Sequence, residues 1–201
     1  MKLYYSPGAC SMSPHIVLEE TGLPYQIERV DLKTKVTETG ADYNAVNPKG
    51  YVPALVLDNG ELLTEGPAIV QYLADQVPAR RLAPANGTME RYRVQEWLTF
   101  TGTDLHKNFT PLFMAAPEEW KATVRTLLDR RLATASTLLG DKPYTVGDSF
   151  SVADAYLFTV LTWTDIVKID ISRWPNLIAF RARIAARPTV QAAMKAEGLI
   201  K

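Results

Sequence analysis

Lys2-Leu3-Tyr4-Tyr5-Ser6-Pro7-Gly8-Ala9-Cys10-Ser11-Met12-Ser13-Pro14-His15-Ile16-Val17-Leu18-Glu19-Glu20-Thr21-Gly22 holds a strand, a turn and a helix in one short run. The apolar and aromatic residues at 2–5 read as a strand, which Ser6-Pro7-Gly8 ends. A helix is expected over 14–21, with Ser13 able to cap it, Pro14 suited to its first turn and Gly22 to stop it. A second strand follows at 25–32, with Tyr25, Ile27 and Val30 expected inward. A helical crossover between two strands favours parallel pairing.

Working outward, 33–49 is polar and fits neither period, whereas 52–57 is a short apolar run. Asp58-Asn59-Gly60 then reads as a hairpin turn into 61–63, because Asn-Gly tolerates the positive φ that such turns need. Thr64-Glu65-Gly66-Pro67 opens a helix through about 75, with Ile69, Val70 and Leu73 on one face. The order is βαβ, an irregular link, then ββα. A tight hairpin requires antiparallel pairing, so the expected first domain is α/β with a mixed four-stranded sheet.

Val77-Pro78-Ala79-Arg80-Arg81-Leu82-Ala83-Pro84-Ala85-Asn86-Gly87 has the proline and glycine content of a linker. Beyond it the pattern is helical, over about 88–114, 117–139, 151–166, 174–186 and 188–196. The organisation read here is a first domain at 1–78, a linker at 79–86 and an all-helical domain at 87–201. Charge changes at the same place. Residues 1–80 carry ten acidic and six basic side chains, a net −4, and the remainder carries +4, so the neutral total hides two opposite halves.

With 22 basic and 22 acidic residues there is no excess of positive charge to hold a nucleic-acid backbone. No apolar stretch approaches the ~20 residues that span a bilayer. The N-terminal residues lack a signal's apolar region, which makes a cytoplasmic location the expectation. One cysteine cannot form an internal disulfide or supply a Cys-based zinc site, and His15 and His106 lack the spacing of a metal pair, so no metal is expected.

The candidate chemistry starts at Cys10. A thiol just before a helix faces unpaired N–H groups and the positive end of the dipole, which favour thiolate. The loop resembles a Cys-x-x-Cys redox loop whose second cysteine is Ser13, and without a resolving thiol the end point is a mixed disulfide with an external thiol. A buried, inert cysteine is the other reading of the same residue. Val52-Pro53 opens the third strand, where a cis peptide would turn the Val52 N–H and C=O outward to pair with an extended peptide, and where a strand-initial proline is also ordinary. Glu65 at a helix start reads as plain capping and dipole complementarity, or as a carboxylate for a ligand ammonium while the N–H groups of residues 65 and 66 take a ligand carboxylate. His106, within a long helical pattern, reads first as structural or solvated. Trp97, Trp120, Trp163 and Trp174 read as packing. Ser151-Val152-Ala153-Asp154 is a capping box.

Taken in order, these features resemble a cytosolic glutathione transferase over the whole chain, and most closely the bacterial beta class, which begins much like Met1-Lys2-Leu3-Tyr4-Tyr5-Ser6-Pro7-Gly8-Ala9-Cys10-Ser11. Asn47-Pro48-Lys49-Gly50-Tyr51-Val52-Pro53-Ala54-Leu55 and Leu62-Leu63-Thr64-Glu65-Gly66-Pro67-Ala68-Ile69 are similar to that family's glutathione-site segments. The resemblance implies a thioredoxin-like domain, an α-helical domain and a two-fold homodimer. It places Cys10 beside the glutathione sulfur, Val52 against the cysteinyl main chain, Glu65 and Gly66 at the γ-glutamyl end and Lys35 near the glycyl carboxylate. His106 and Lys107 fall where the family has polar residues facing the thiol, and Asp104 where it reaches the partner's glutamyl ammonium. Where other classes carry Ser, this chain has Gly66, so backbone N–H must hold the ligand carboxylate alone. Tyr5 and Ser11, which stand for the tyrosine or serine of other classes, rank below Cys10.

The function this implies is attack of the glutathione thiol on a small hydrophobic electrophile, aryl halides among them, held in a cleft between domains; Phe109, Phe113 and Trp163 are candidates for its walls but read first as core packing. Glutathione enters as co-substrate, with no resident cofactor. Glutathione-dependent thiol–disulfide exchange or reductive dehalogenation through Cys10 is the alternative chemistry. Sequestration of apolar compounds without turnover is the non-enzymatic one.

Overall fold

The computed structural model describes all 201 residues. In chain order the elements are β1 (Lys2–Tyr5), α1 (Met12–Thr21), β2 (Gln26–Asp31), β3 (Val36–Thr37), α2 (Tyr43–Val46), β4 (Ala54–Val56), β5 (Leu62–Thr64) and α3 (Gly66–Gln76). Then come α4 (Met89–Phe100), a π-helical turn (Thr101–His106), α5 (Lys107–Phe113), α6 (Glu118–Leu139), α7 (Val152–Ile166), α8 (Pro175–Ala185) and α9 (Pro188–Ala196). They form two units, Met1–Leu82 with Ala186–Lys201, and Ala83–Ala185.

The first unit is built on one sheet in the order β3-β2-β1-β4-β5. β1 and β2 run parallel, with Leu3 opposite Ile27, and the β1–β4 and β4–β5 pairs are antiparallel. The sheet is mixed, as expected, but has five strands rather than four. The extra strand comes from the polar link. Asp31 accepts the N–H groups of Lys33 (2.8 Å) and Thr34 (3.1 Å), Lys35 adopts φ 60°, and Val36–Thr37 folds back against Val30 and Asp31. Two residues are too few for alternation to reveal.

α1 begins at Met12, earlier than expected. Ser13 is buried and caps nothing, while the Ser11 hydroxyl turns to the main chain of Ser6. Gly22, at φ 70°, ends the helix in the left-handed region and donates to Leu18 O. α1 packs on α3 and α9, burying Ile16, Val17, Leu18, Ile69, Val70, Leu73, Val190 and Ala193 completely. On the other face of the sheet Tyr4, Val30, Tyr43, Val52 and Ala54 form a second cluster. Val30 is inward as expected, but Tyr25 and Ile27 are only half-buried and Glu28 is buried beside Val30. Lys2 (2.8 Å) and Thr39 (2.5 Å) satisfy the Glu28 carboxylate.

The expected helical range 87–201 is too long at its C-terminal end, because residues 186–201 belong to the first unit. A helical period identifies α9 as a helix but not what it packs on. Arg187 grips Glu20 at 2.7 and 3.0 Å, and Thr189 donates to the same carboxylate. His15 Nδ1 lies 2.9 Å from Glu197, both side chains fully buried.

In the second unit α7 is the central helix, with all but a few residues buried. The Ser151–Asp154 capping box is present at its start. One Asp154 oxygen accepts Thr145 N–H at 2.7 Å, and the other accepts the Ser151 N–H (2.7 Å) and hydroxyl (2.8 Å). Burial pushes this carboxyl up in pKa against the pull of those donors. The helix expected at 88–114 runs unbroken over 89–113, but its hydrogen bonding switches to a π turn at Thr101–His106 between α4 and α5. Trp97, Trp163 and Trp174 are buried, whereas Trp120, in the first turn of α6, is exposed.

Candidate active site

β1 and α1 present Cys10 at the open end of the helix, one residue before the N-cap position Ser11. The thiol is half-buried, and Sγ donates to the Val52 carbonyl at 3.3 Å. That contact joins residues 42 positions apart. The Val52–Pro53 peptide is cis. Ser11 is fully buried with its hydroxyl engaged by Ser6, and the Tyr5 phenol is held above the usual tyrosine range by burial, then by the charges of Glu38 and Glu197. Neither is as available as Cys10.

The segment 49–53 gathers the other first-unit candidates. Lys35 Nζ donates to Gly50 O at 2.7 Å and lies 5.4 Å from the Tyr51 ring centre. Lys49 Nζ reaches Glu65 at 2.7 Å and the Thr64 hydroxyl at 3.0 Å. Glu65 caps nothing with its side chain, which is 69% exposed. Its main chain sits at φ 71°, ψ 114°, a conformation costly for a residue with a Cβ, so that its carbonyl accepts the N–H groups of Ala68 and Ile69. The plain capping role is thus taken by backbone, and the carboxylate is left at the surface of the helix start. Gly66 opens α3, and since Pro67 has no N–H and the Ala68 N–H is taken by Glu65 O, the Gly66 N–H is the first-turn donor without an intrahelical acceptor. A Cβ on Gly66 would meet only Pro53 Cγ, at 3.8 Å, so the glycine is not required by space.

In the second unit the π turn carries Asp104 and ends at His106, with Lys107 exposed at the start of α5. Such turns insert an extra residue per turn and recur at functional sites. His106 Nδ1 is 2.7 Å from the Tyr156 hydroxyl, and its ring packs edge-on to Trp163 at 4.8 Å. Phe109 and Trp163 are buried, and Phe113 is 48% exposed. Asp104 is engaged on both oxygens, by Arg131 Nε and by the Thr103 hydroxyl, each at 2.9 Å.

Within the first unit, then, Cys10 and Val52 touch, and Lys35, Glu65 and Gly66 border the same short segment. Family profiles match at both ends of the chain: one described as the N-terminal domain of glutathione S-transferase over residues 8–76, the other as its C-terminal domain over 100–188. The chain belongs to the glutathione S-transferase family.

Among its relatives, glutathione S-transferase GstA of Escherichia coli O157:H7 is 52% identical over 200 residues, covering 99% of this chain and 100% of that one. A solved bacterial beta-class glutathione S-transferase from Sphingomonas chungbukensis is 52% identical, with a TM-score of 0.96 and full coverage of both chains. A sphingomonad glutathione S-transferase solved with glutathione is 49% identical, with a TM-score of 0.95 and full coverage of both chains. The chain is a glutathione transferase of the bacterial beta class, with a thioredoxin-like first unit, and no helix is long and apolar enough to cross a membrane.

Around the transferase's candidate residues stand others that single-residue reading did not select. Lys49 pairs with Glu65, Tyr156 with His106 and Arg131 with Asp104. His15, read as structural or solvated, is structural: Glu197 bridges it to the Gly8 N–H, the latter at 2.9 Å. Tyr43 and Asn47 both donate to Tyr51 O. Both lie in the link at 33–49 that fits neither period, and only Asn47 falls within the segment that resembles the family's glutathione site.

Proposed function

We propose that the first unit binds glutathione along the segment 50–53 and the start of α3. Val52 offers its main chain to the cysteinyl part, Glu65 its carboxylate to the γ-glutamyl ammonium, and Gly66 its N–H to the glutamyl carboxylate. Lys35, whose ammonium stands at Gly50 O, serves the glycyl carboxylate. The reading is carried by one observation, the Cys10 thiol at the Val52 carbonyl, which puts a reactive sulfur where a cysteinyl main chain would pair. The glutathione thiol gives up its proton, its sulfur bonds to an electrophilic carbon, and a leaving group such as halide departs. Donors at the N-terminal end of α1 favour the thiolate. Glutathione is co-substrate, and no resident cofactor takes part. Asp104 serves a partner's glutamyl ammonium in a homodimer by sharing a carboxylate that Arg131 already holds.

With oxidised glutathione, the Cys10 thiolate attacks one sulfur, forms a mixed disulfide and releases the other glutathione as thiolate. Exchange chemistry is favoured as a second activity because Cys10 is the chain's only cysteine, leaving no resolving thiol. Incubation with oxidised glutathione and non-reducing intact-mass analysis tests this. A glutathione-sized adduct lost on reduction and absent from Cys10→Ala supports it, and an unmodified wild-type chain rejects it. Failure of glutathione to bind to the wild-type protein, by calorimetry, would reject the site as a whole.

A further inference from the structure

Three consecutive carbonyls in this transferase are held by side chains rather than by a strand partner. Gly50 O takes Lys35 Nζ at 2.7 Å, Tyr51 O takes both Tyr43 Oη (2.8 Å) and Asn47 Nδ2 (2.7 Å), and Val52 O takes Cys10 Sγ at 3.3 Å. The middle one is the odd case. Lys35 and Cys10 are half-exposed groups with candidate duties toward ligand, but Tyr43 is wholly buried and Asn47 is 1% exposed. Two buried donors converge on the carbonyl of a residue that is itself 72% exposed. They are not there to anchor the Tyr51 ring.

Both donors are themselves fixed. The Tyr43 ring packs on Tyr4 of β1, with centroids 5.5 Å apart, and burial raises its phenol above the usual range, so it stays a donor at neutral pH. Asn47 donates its N–H to Tyr43 O at 2.8 Å, ending α2, and its side-chain oxygen accepts Lys49 N–H at 3.1 Å. That last bond fixes which way the Asn47 amide faces, leaving Nδ2 for Tyr51. The chain from β1 through Tyr43 and Asn47 to Tyr51 is therefore a rigid bracket, and the next peptide unit is that of Val52.

We propose that Tyr43 and Asn47 are positioning residues whose shared grip on the Tyr51 carbonyl sets the Val52 main chain to receive the peptide of glutathione. This rests on the reading of Val52 as a glutathione partner. Because two donors serve one acceptor, either alone keeps the carbonyl paired. Loss of both leaves a main-chain acceptor unpaired and the following residue free to turn.

The test is Tyr43→Phe, Asn47→Ala and the double variant, each assayed for glutathione affinity by calorimetry and for the separate KM values of glutathione and of an aryl halide (a chlorodinitrobenzene). Tyr43→Phe keeps the ring and its packing on Tyr4, so it guards against simple failure to fold. Each single variant is expected to weaken glutathione about threefold, and the double about thirtyfold, more than the product of the two, as loss of a last buried hydrogen bond implies. The aryl halide KM and the pH profile should stay within about twofold of wild type. Unchanged glutathione affinity in the double variant overturns the proposal while leaving the glutathione site standing. So does a parallel rise in both KM values, the mark of a merely structural role. Absence of glutathione binding by the wild-type protein overturns the underlying site, and this proposal with it.

Discussion

The Cys10 thiol donates to the main-chain carbonyl of Val52 across 3.3 Å, tying the loop ahead of α1 to the residue that precedes the cis proline. Sulfur is a weak donor, and a ligand N–H is a stronger competitor for the same carbonyl. Occupation of that carbonyl by glutathione would release the thiol beside the incoming sulfur.

Cys10→Ala should abolish mixed-disulfide formation while conjugation of an aryl halide continues. Cys10→Ala removes the donor that a ligand N–H must displace from Val52 O and should bind glutathione at least as tightly as wild type, whereas Cys10→Ser, whose hydroxyl is the stronger donor to that carbonyl, should bind about twofold to threefold more weakly. Mass spectrometry and calorimetry on the three proteins decide it. Equal loss of both reactions in Cys10→Ala would remove the distinction between them.

Glu65 should show stability and binding moving in opposite directions. Its φ of 71° costs about 1–3 kcal/mol in a residue with a Cβ, a cost that glycine does not carry. Glu65→Gly is therefore expected to raise the melting temperature while weakening glutathione at least tenfold through loss of the carboxylate. Glu65→Gln, which keeps the Cβ, should lose affinity without the gain in stability. A Glu65→Gly protein that binds as wild type contradicts the assignment.

The buried Glu28 gives the first unit an acid-sensitive limb. Burial alone would raise its carboxyl, but hydrogen bonds from Lys2, Thr39 and Thr37 outweigh it and hold the group below its ordinary value of 4.5. A depressed carboxyl contributes stability above the unfolded-state value and loses it as pH falls through the folded one. Glu28→Gln should thus be less stable than wild type near neutrality and converge with it as the pH falls below 4.5 and through the depressed folded-state value. Urea unfolding at a series of pH values reads the convergence, and parallel curves would count against it.

Asp154 is fully buried and accepts three hydrogen bonds at the start of α7. Replacement by Ala leaves the N–H groups of Thr145 and Ser151 and the Ser151 hydroxyl without their acceptor, and should cost at least ~3 kcal/mol. Asn, with one acceptor oxygen in place of two, should fall between Ala and wild type. Chemical denaturation measures the order.

Local chemistry accounts for the elements that could be read in advance. Gly22 and Asn59-Gly60 end a helix and turn a hairpin whatever surrounds them, and the Ser151–Asp154 pair caps α7 across three residues. Cys10, Val52 and Glu65 were legible because each stands at the end of such an element. The fifth strand was not, since two residues carry no period, and the π turn was not, since Thr101–His106 continues an acceptable helical pattern.

From sequence alone came the order βαβ-ββα, the helical second half, the single thiol and its lack of a resolving partner. These depend on spacing along the chain. Only the tertiary structure decided that α9 returns to the first unit, that Glu197 bridges Gly8 and His15 across 182 positions from the latter, and that Tyr43 and Asn47 meet on Tyr51. A helical period states that a face must be covered without stating by what, and a buried polar group states that it needs a partner without naming one. Packing supplies both answers at once, because each buried donor must find its acceptor in the arrangement that also closes the core.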